Sequence, residues 1–564
     1  MGSHLAANLM AAILAKHGAR VVLVDTADDQ ARPVGETTVP YTSEVFSLLA
    51  QRFAMPEIAT FAHFPELPEN VRRTSGVKKN LGFLYHEEGH ELDPRKAVQF
   101  NVPGEHTEWH LHRPAVDEYA RQIAVTCGVH TDAGRSVVCK VRMSDAGGTL
   151  TLTNGKQLVA RYVVDVSGPG SALLTAVGAA SEPGRAPWRC RLLSACFRGL
   201  RAFEDVVPMP GYRSATPWSQ GTFHHVFDGG WIQIVDFGNH DGSANALCSV
   251  TASVCPEKFT DLPDAPETAF RTLIARYPSI AQQFATAVTA SPWVNEPSWQ
   301  WRAARTAGPR WIAIDRAASR AEEVLSRDIT MSMEVVHATA AGLLRVLADP
   351  ASEAEEFGRI AHFQECLIDY NNELQRGLHT ASRHFQLVNA YLRIWLLWQI
   401  LAELSLKRAR LDCDSGPGGS WAAVEEFDSW LWFRAPEGLT RGLANLFAEL
   451  ADVRAGRTTA TAAARHVFSW LRRERFIPPL YSFGDPAARI YRFTLWRRIL
   501  MLLWVKTLAP ADFRRLLTRD NITGHRHPGP VPNIEATATP ATTPEAAGRH
   551  DAAEIPATTG GGDA

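Results

Sequence analysis

The chain has 564 residues, enough for two or three domains, and its 45% hydrophobic and 21% charged residues describe a globular protein. Its 58 Lys and Arg against 60 Asp and Glu leave a net charge of −2, which excludes a general attraction to nucleic acid. No stretch reaches the roughly 18 uninterrupted apolar residues of a membrane span. Ile499–Val505 comes nearest and is bounded by Arg497, Arg498 and Lys506. The eight cysteines are scattered without a Cys-x-x-Cys pair and read as reduced, mostly buried thiols of a cytoplasmic protein.

Residues 3–16 carry Leu5, Leu9, Ala12 and Ile13 at helical spacing with Gly18 placed as a cap, which predicts a helix. Arg20 to Asp25 (RVVLVD) then reads as a buried parallel strand ending in a carboxylate. Helix, glycine, strand and Asp match the second half of a dinucleotide-binding βαβ unit, although this segment alone also fits an ordinary αβ unit. In such a unit Asp25 takes the ribose hydroxyls and the helix N-terminus faces the pyrophosphate. Gly2 stands where the last glycine of Gly-x-Gly-x-x-Gly belongs, while the first two glycines and the strand before them are not in the sequence. The expected α/β sheet therefore lacks its first, central strand. Gly35-Glu36-Thr37 falls in a loop after the ribose strand.

His86-Glu-Glu-Gly-His90 matches a zinc pattern that requires both histidines on one helical face. Leu81–Tyr85 reads as a strand and Glu88-Gly89 as a turn, so no metal is expected there. Arg113 opens a helix carrying Val116, Tyr119, Ala120, Ile123 and Ala124. Alternating stretches near 136–143 and 149–153 predict a β-meander, and Val159–Gly168 reads as one strand ending at Asp165 and turning at Gly168. Such a turn commonly approaches the phosphates of a cofactor. Leu387, Tyr391, Ile394, Trp395 and Trp398 follow helical spacing, and eight of the 16 tryptophans lie between 395 and 504, as packing residues of a helical domain. The tail from Asn521 is rich in Ala, Thr, Pro and Gly and is expected to be disordered.

Several of these stretches, in this order, resemble the flavin-dependent halogenases and the wider FAD-dependent monooxygenase fold. Ser75-Gly-Val-Lys-Lys-Asn-Leu-Gly-Phe83 is similar to the family segment that holds an essential lysine. Glu108-Trp-His-Leu-His-Arg113 with Asp117 is similar to its flavin-contacting arginine and helix. His224 to Phe237 stands where the family carries Trp-x-Trp-x-Ile-Pro, reduced here to Trp231-Ile-Gln-Ile-Val-Asp236. Where the family's halide loop reads Asp-Pro-x-x-Ser-x-Gly, this chain reads Glu322-Glu-Val-Leu-Ser-Arg-Asp328. The resemblance spans roughly residues 2–520.

The resemblance implies an α/β, Rossmann-like FAD-binding module over 1–345. A mostly β, substrate-facing insertion lies near 187–300, with a helical domain over 346–520 and the tail over 521–564. It implies reduced FAD supplied by a separate flavin reductase, O2, a halide ion, and an electron-rich aromatic substrate, free or carrier-bound, in specialised metabolism. Lys78 would deliver the oxidant, and Gly2, Asp25, Gly35, Glu36, Arg113, Asp165 and Gly168 would hold FAD. Asp328 at the glycine position places a carboxylate beside the anion loop, and the shortened tryptophan motif leaves hydroxylation less firmly blocked. Two alternatives follow: a catalytically impaired homologue that binds a ligand or partner, and a flavin aromatic hydroxylase.

Overall fold

The computed structural model describes residues 1–26, 36–101, 108–131, 136–180, 189–209, 214–298, 300–320, 324–414, 421–425, 437–492 and 494–516. Gly35, Glu322, Glu323 and the tail from Asn521 lie outside the described residues. Residues Met1–Gly524 form one compact unit.

Helix α1 (Leu5–Lys16) is apolar on all sides and is buried from Leu5 to Leu14, as a helix without a polar face must be. It leads into β1 (Val22–Leu23), which pairs in parallel with β7 (His130–Thr131). The Val159–Gly168 run does not form one strand. It divides at Arg161-Tyr162 into β10 (Gln157–Ala160), the last strand of the expected meander after β8 (Val138–Ser144) and β9 (Gly147–Leu152), and β11 (Val163–Asp165). β11 pairs in parallel with Trp311–Ala313.

The two parallel pairs are held apart, and the backbone of Met1 and Gly2 spans the space between them. Met1 N donates to Val164 O at 2.8 Å, Val166 N donates to Met1 O at 2.9 Å, and Gly2 N donates to Val24 O at 2.9 Å.

A second, eight-stranded sheet is built around β12 (Arg191–Arg198), β15 (Cys248–Val254), β14 (Gly230–Asp236) and β13 (Gly221–Phe227). It is not confined to the 187–300 insertion, because β4 (Asn80–Tyr85) joins β13 in parallel and brings β5 (Ala97–Asn101) with it. Side chains alternate across this sheet. One face presents Leu193, Phe197, Phe223, Phe227, Ile232, Ile234 and Val250 to an apolar cluster that includes Phe270 and Ile280. The other presents Thr222, His224, Gln233, Thr251 and Ser253, all buried. A buried polar face is costly unless its groups are hydrogen-bonded, and here it marks the side on which the site lies.

Glu36-Thr37 is a strand rather than a loop. As β2 it pairs with β6 (Glu108–Leu111), which also pairs with β3 (Gly76–Lys78). Helix α2 (Pro40–Arg52) follows β2, and α3 (Arg113–Thr126) follows β6 with Pro114 in its first turn, where a missing N–H costs nothing. The helical region begins at α4 (Asp328–Ala348), ahead of residue 346, and continues through α5 (Glu353–Ala381), α6 (Phe385–Asp414), α7 (Glu437–Arg454), α8 (Ala460–Arg473) and α9 (Leu495–Thr507).

Among the described residues, Val324–Ala348 alone is long and apolar enough to cross a membrane, and most of it is buried in the core it shares with α1, α2, α5 and α6. Of the cysteines only Cys190 and Cys248 are buried, and Cys139 is exposed. The expectation of mostly buried thiols is thus corrected. The tryptophans Trp395, Trp398 and Trp504 do pack, whereas Trp496 is 66% exposed.

Candidate active site

The antiparallel register of β3 and β6 sets Lys78 directly opposite Glu108, so both side chains leave the same face. β3 lies so close to the end of β14 that a Cβ on Gly76 would sit 2.0 Å from the Asp236 carbonyl oxygen. Lys78 is 1% exposed. Its Nζ donates to Thr37 Oγ1 at 2.8 Å, to the Thr38 carbonyl at 2.6 Å and to Ser326 Oγ at 3.1 Å. Three oxygens for three N–H groups is the coordination of an ammonium. Burial pushes the amine down to about 7, and the Glu108 carboxylate opposes that shift. Lys79, its neighbour, is exposed and reaches only Gln220.

Glu108 accepts from Ser43 Oγ at 3.0 Å on both carboxylate oxygens. Burial raises it to about 7, against the Thr38 hydrogen bond, Lys78 and Ser43. The cation and the carboxylate are therefore linked through Thr38, whose carbonyl receives Lys78 and whose side chain bonds Glu108. Around them His110 bonds Thr222 Oγ1 at 2.9 Å and the Asp236 carbonyl at 2.7 Å. His224 stacks on Phe83 at 4.8 Å. Burial first, with Lys78 adding to it and backbone hydrogen bonds opposing, holds both imidazoles at about 3, so they stand neutral beside the ammonium. Further along the same sheet face, Trp231 Nε1 and Gln233 Oε1 are buried without a hydrogen-bond partner among the described residues.

Ser326 belongs to a turn in which Leu325 and Ser326 both adopt left-handed backbone angles, φ 70° and 53°. Neither is glycine, so each costs about 1–3 kcal/mol, a strain typical of functional turns. Thr37 Oγ1 and Ser326 Oγ share a 2.6 Å hydrogen bond that ties this turn to β2. Arg327 is buried beneath it, paired with Glu334 at 3.1 Å and set 5.0 Å over the Trp398 ring. Asp328 begins α4, where the helix dipole favours a carboxylate.

The expected cofactor residues divide into groups. Gly2 has φ +100°, and a Cβ there would lie 3.2 Å from the Val166 backbone. Arg113 is buried and paired with Asp117 at 2.9 Å, and Asp117 accepts from Leu5 N at 2.8 Å. Gly2 and Arg113 thus meet at the N-terminus of α1. Asp25 lies at the end of the β1 segment, bridged to Val137. Glu36 is on β2, paired with Leu111. Asp165 is buried with both oxygens engaged, Oδ1 by Ser167 N and Oγ and Oδ2 by Ser171 Oγ. It shapes the turn in which the Gly168 carbonyl accepts from Ser171 N, rather than offering a free carboxylate to a ligand.

Sequence reasoning missed Asp315, the terminus of Trp311-Ile-Ala-Ile-Asp, which repeats the apolar-strand-then-Asp pattern of Val163–Asp165. Asp315 has φ 52°, lies 3.8 Å from His4 Nδ1 at the start of α1, and accepts from Ser332 Oγ of α4 at 2.6 Å. It joins the N-cap of α1 to the N-terminal half of α4. His4 bonds the Val166 carbonyl at 2.6 Å and is held at about 3, chiefly by burial and then by nearby Arg316 and Arg113.

The left-handed Gly2, too confined for a Cβ, the helix terminus beside Arg113, and the two carboxylate-ending segments fit FAD. His86 is buried at the end of the β4 segment and bonds His225 at 2.9 Å, whereas His90 is exposed in a turn, so the pair does not share a helical face.

No family model matches the chain. Tetracycline 7-halogenase of Kitasatospora aureofaciens is 30% identical over 522 residues, which covers 92% of this chain and 94% of that protein. Monodechloroaminopyrrolnitrin halogenase PrnC of Pseudomonas fluorescens is 28% identical over 532 residues, covering 91% and 92%. The solved structure of halogenase PltM in complex with phloroglucinol and FAD aligns with a TM-score of 0.81 at 24% identity, over 87% of this chain and 98% of that one. The flavin-dependent halogenase CmlS aligns with a TM-score of 0.53 at 14% identity, over 90% and 76%. The structural likenesses establish the fold.

Proposed function

This chain belongs to the flavin-dependent halogenases, with FAD as its cofactor, and we propose that it halogenates an electron-rich aromatic in specialised metabolism, using Lys78 to deliver the oxidant. The observation that carries this reading is the buried Lys78 ammonium, bound to Thr37, Thr38 and the strained Ser326 turn. Asp25, Gly2, His4, Arg113 and Asp315 would hold FAD, with Glu36 and Gly168 flanking it. Reduced FAD, supplied by a flavin reductase, provides with O2 the oxidising equivalents that convert a halide to hypohalous acid. The first turn of α4 behind Ser326 would turn the positive end of the helix dipole toward the halide.

Lys78 then acts as a hydrogen-bond donor. Its bond to Ser326 is the longest of the three and is the one a hypohalous acid replaces. Donation from Nζ to the hypohalous oxygen draws electron density from the O–X bond, so an aromatic carbon attacks the halogen. That oxygen leaves as water with the lysine's proton, and the proton lost from the ring carbon restores the ammonium. The balance is ArH + HOX giving ArX + H2O. Glu108 raises the protonated fraction of Lys78 by direct charge attraction, as a positioning residue. The neutral His110 and His224 add no competing cation beside Lys78.

The test supplies the purified protein with FAD, a flavin reductase, NADH, O2, and chloride or bromide. Free phenols and pyrroles serve as substrates, with mass spectrometry of the products. Halide-dependent products with the halogen isotope pattern are expected. Flavin turnover that yields only hydroxylated product would assign the chain to hydroxylation, and FAD binding without any product would assign it to ligand binding.

A further inference from the structure

Seven of the twelve exposed large apolar side chains among the described residues lie between 495 and 508, on or just after α9: Leu495, Trp496, Ile499, Leu500, Leu502, Leu503 and Leu508. α9 is anchored by Trp504, with Met501 and Val505 packed against the core. On the opposite side Leu495, Ile499, Leu502 and Lys506 run along one line at helical spacing, flanked by Trp496, Leu500 and Leu503. A contiguous apolar face of this kind marks a binding surface.

Charge selects the occupant. Between Asp485 and Asp512 the sequence carries Arg489, Arg492, Arg497, Arg498 and Lys506 and no acidic residue. Arg492, Arg498 and Lys506 are exposed. A second copy laid antiparallel on α9 would bring Arg498 against Lys506, like charge on like. The helix is also only about 20 Å long, short for the roughly 800 Å² per partner of a stable protein interface. Leu and Trp on the face with Arg and Lys beside it is the pattern of a helix lying in a lipid interface.

We propose that α9 docks the protein on an anionic phospholipid surface, its Leu/Trp face entering the acyl boundary and Arg498 and Lys506 meeting the headgroups. The inference is independent of the halogenation chemistry, because none of these residues belongs to the site around Lys78.

Co-sedimentation with vesicles of equal phosphatidylcholine and phosphatidylglycerol, beside pure phosphatidylcholine vesicles, tests it on the full chain at low and high salt. The expected result is binding to the mixed vesicles, weakened by salt and much lower on pure phosphatidylcholine. An R498Q/K506Q variant should lose about thirtyfold in partition, since each cation near such a surface contributes about one kcal/mol. An L502E/L503E variant should lose binding while keeping its thermal midpoint and its halogenating activity on a free phenol. Equal binding to both vesicle types, or binding to neither, overturns the proposal. So does a concentration-dependent dimer in light scattering that L502E/L503E dissolves, which would give the face to a second copy of the chain.

Discussion

Glu108→Gln should move the pH dependence of halogenation, and the register of β3 and β6 gives the size of the effect. Directly opposed residues on an antiparallel pair have Cβ atoms about 5 Å apart, so the carboxylate and ammonium charges lie about 6 Å apart. At an effective dielectric near 20 their attraction is about 2.8 kcal/mol, or about 2 pH units. Lys78 stands at about 7 with Glu108 raising it, so removing the negative charge lowers the amine further. The ammonium donates to the oxidant, and activity should fall as pH rises through its titration. In Glu108→Gln that alkaline limb should shift about 2 units lower. Near pH 7 the variant should keep only a few per cent of wild-type halogenation and recover as the solution is acidified. Other groups near the pair bear on the profile: Glu44, paired with Arg410; Glu403, held up by burial to about 8; Lys407 beside it; and the neutral His110 and His224. Of these, Glu403 also loses the repulsion of Glu108 in the variant, which lowers it. The assay is product formation over a pH series with reductase-supplied FAD, alongside NADH consumption to report the flavin half-reaction. An alkaline limb at the same pH in both proteins, with folding intact, would refute the assignment of Glu108.

Acid should destabilise the fold through its buried histidines, against the opposite contribution of Glu108 and Glu403, whose raised values favour the folded state as pH falls. His4, His110 and His224 stand at about 3 and His225 at about 4, all lowered chiefly by burial. With folded values below the unfolded value of about 6.5, their stabilisation is complete above that pH and is lost as pH falls. At pH 5.5 each costs about 1.4 kcal/mol, or about 6 kcal/mol for the four together. The urea midpoint should drop steeply between pH 7.5 and 5.5, and a flat midpoint would contradict neutral burial. Asp328→Asn should lower the halide concentration needed for half-maximal rate about tenfold, since a carboxylate near 4 Å repels an anion by about 1 kcal/mol in water and 4 kcal/mol at a dielectric of 20. Unchanged halide dependence would place the ion away from the α4 terminus. Arg113→Ala should weaken FAD binding at least about tenfold in a fluorescence titration, because it removes a buried charged donor beside Asp117. An unaltered affinity would move the cofactor from α1.

Much of the scaffold was legible because its signals are local. The apolar run of α1, the proline that follows Arg113 at the start of α3, and the Asp145-Ala-Gly-Gly turn of the meander each fix structure within a few residues. The Val159–Gly168 run misled because the break at Arg161-Tyr162 carries neither glycine nor proline to mark it. The site was less legible. Lys78 could be singled out by resemblance, but its partners Thr37, Ser326 and Glu108 come from three other elements, the farthest 248 positions away. Only strand register and the strained turn bring them together. Asp315 was open to discovery, since it follows an apolar strand two residues on, much as Asp165 closes one. The difference lies in what the folded chain leaves around them: Asp165 is enclosed by its own serines, whereas Asp315 faces the start of α1.

Lys78→Met decides most directly whether this amine delivers the oxidant. Purified variant and wild type, each loaded with FAD and given reductase, NADH, O2 and bromide, are compared for brominated product and for NADH and O2 consumption in the same vessel. The expected outcome is unchanged FAD binding and undiminished consumption of NADH and O2, with brominated product absent. Product formed at the wild-type rate by a protein without this amine would show that the oxidant reaches the ring by another route.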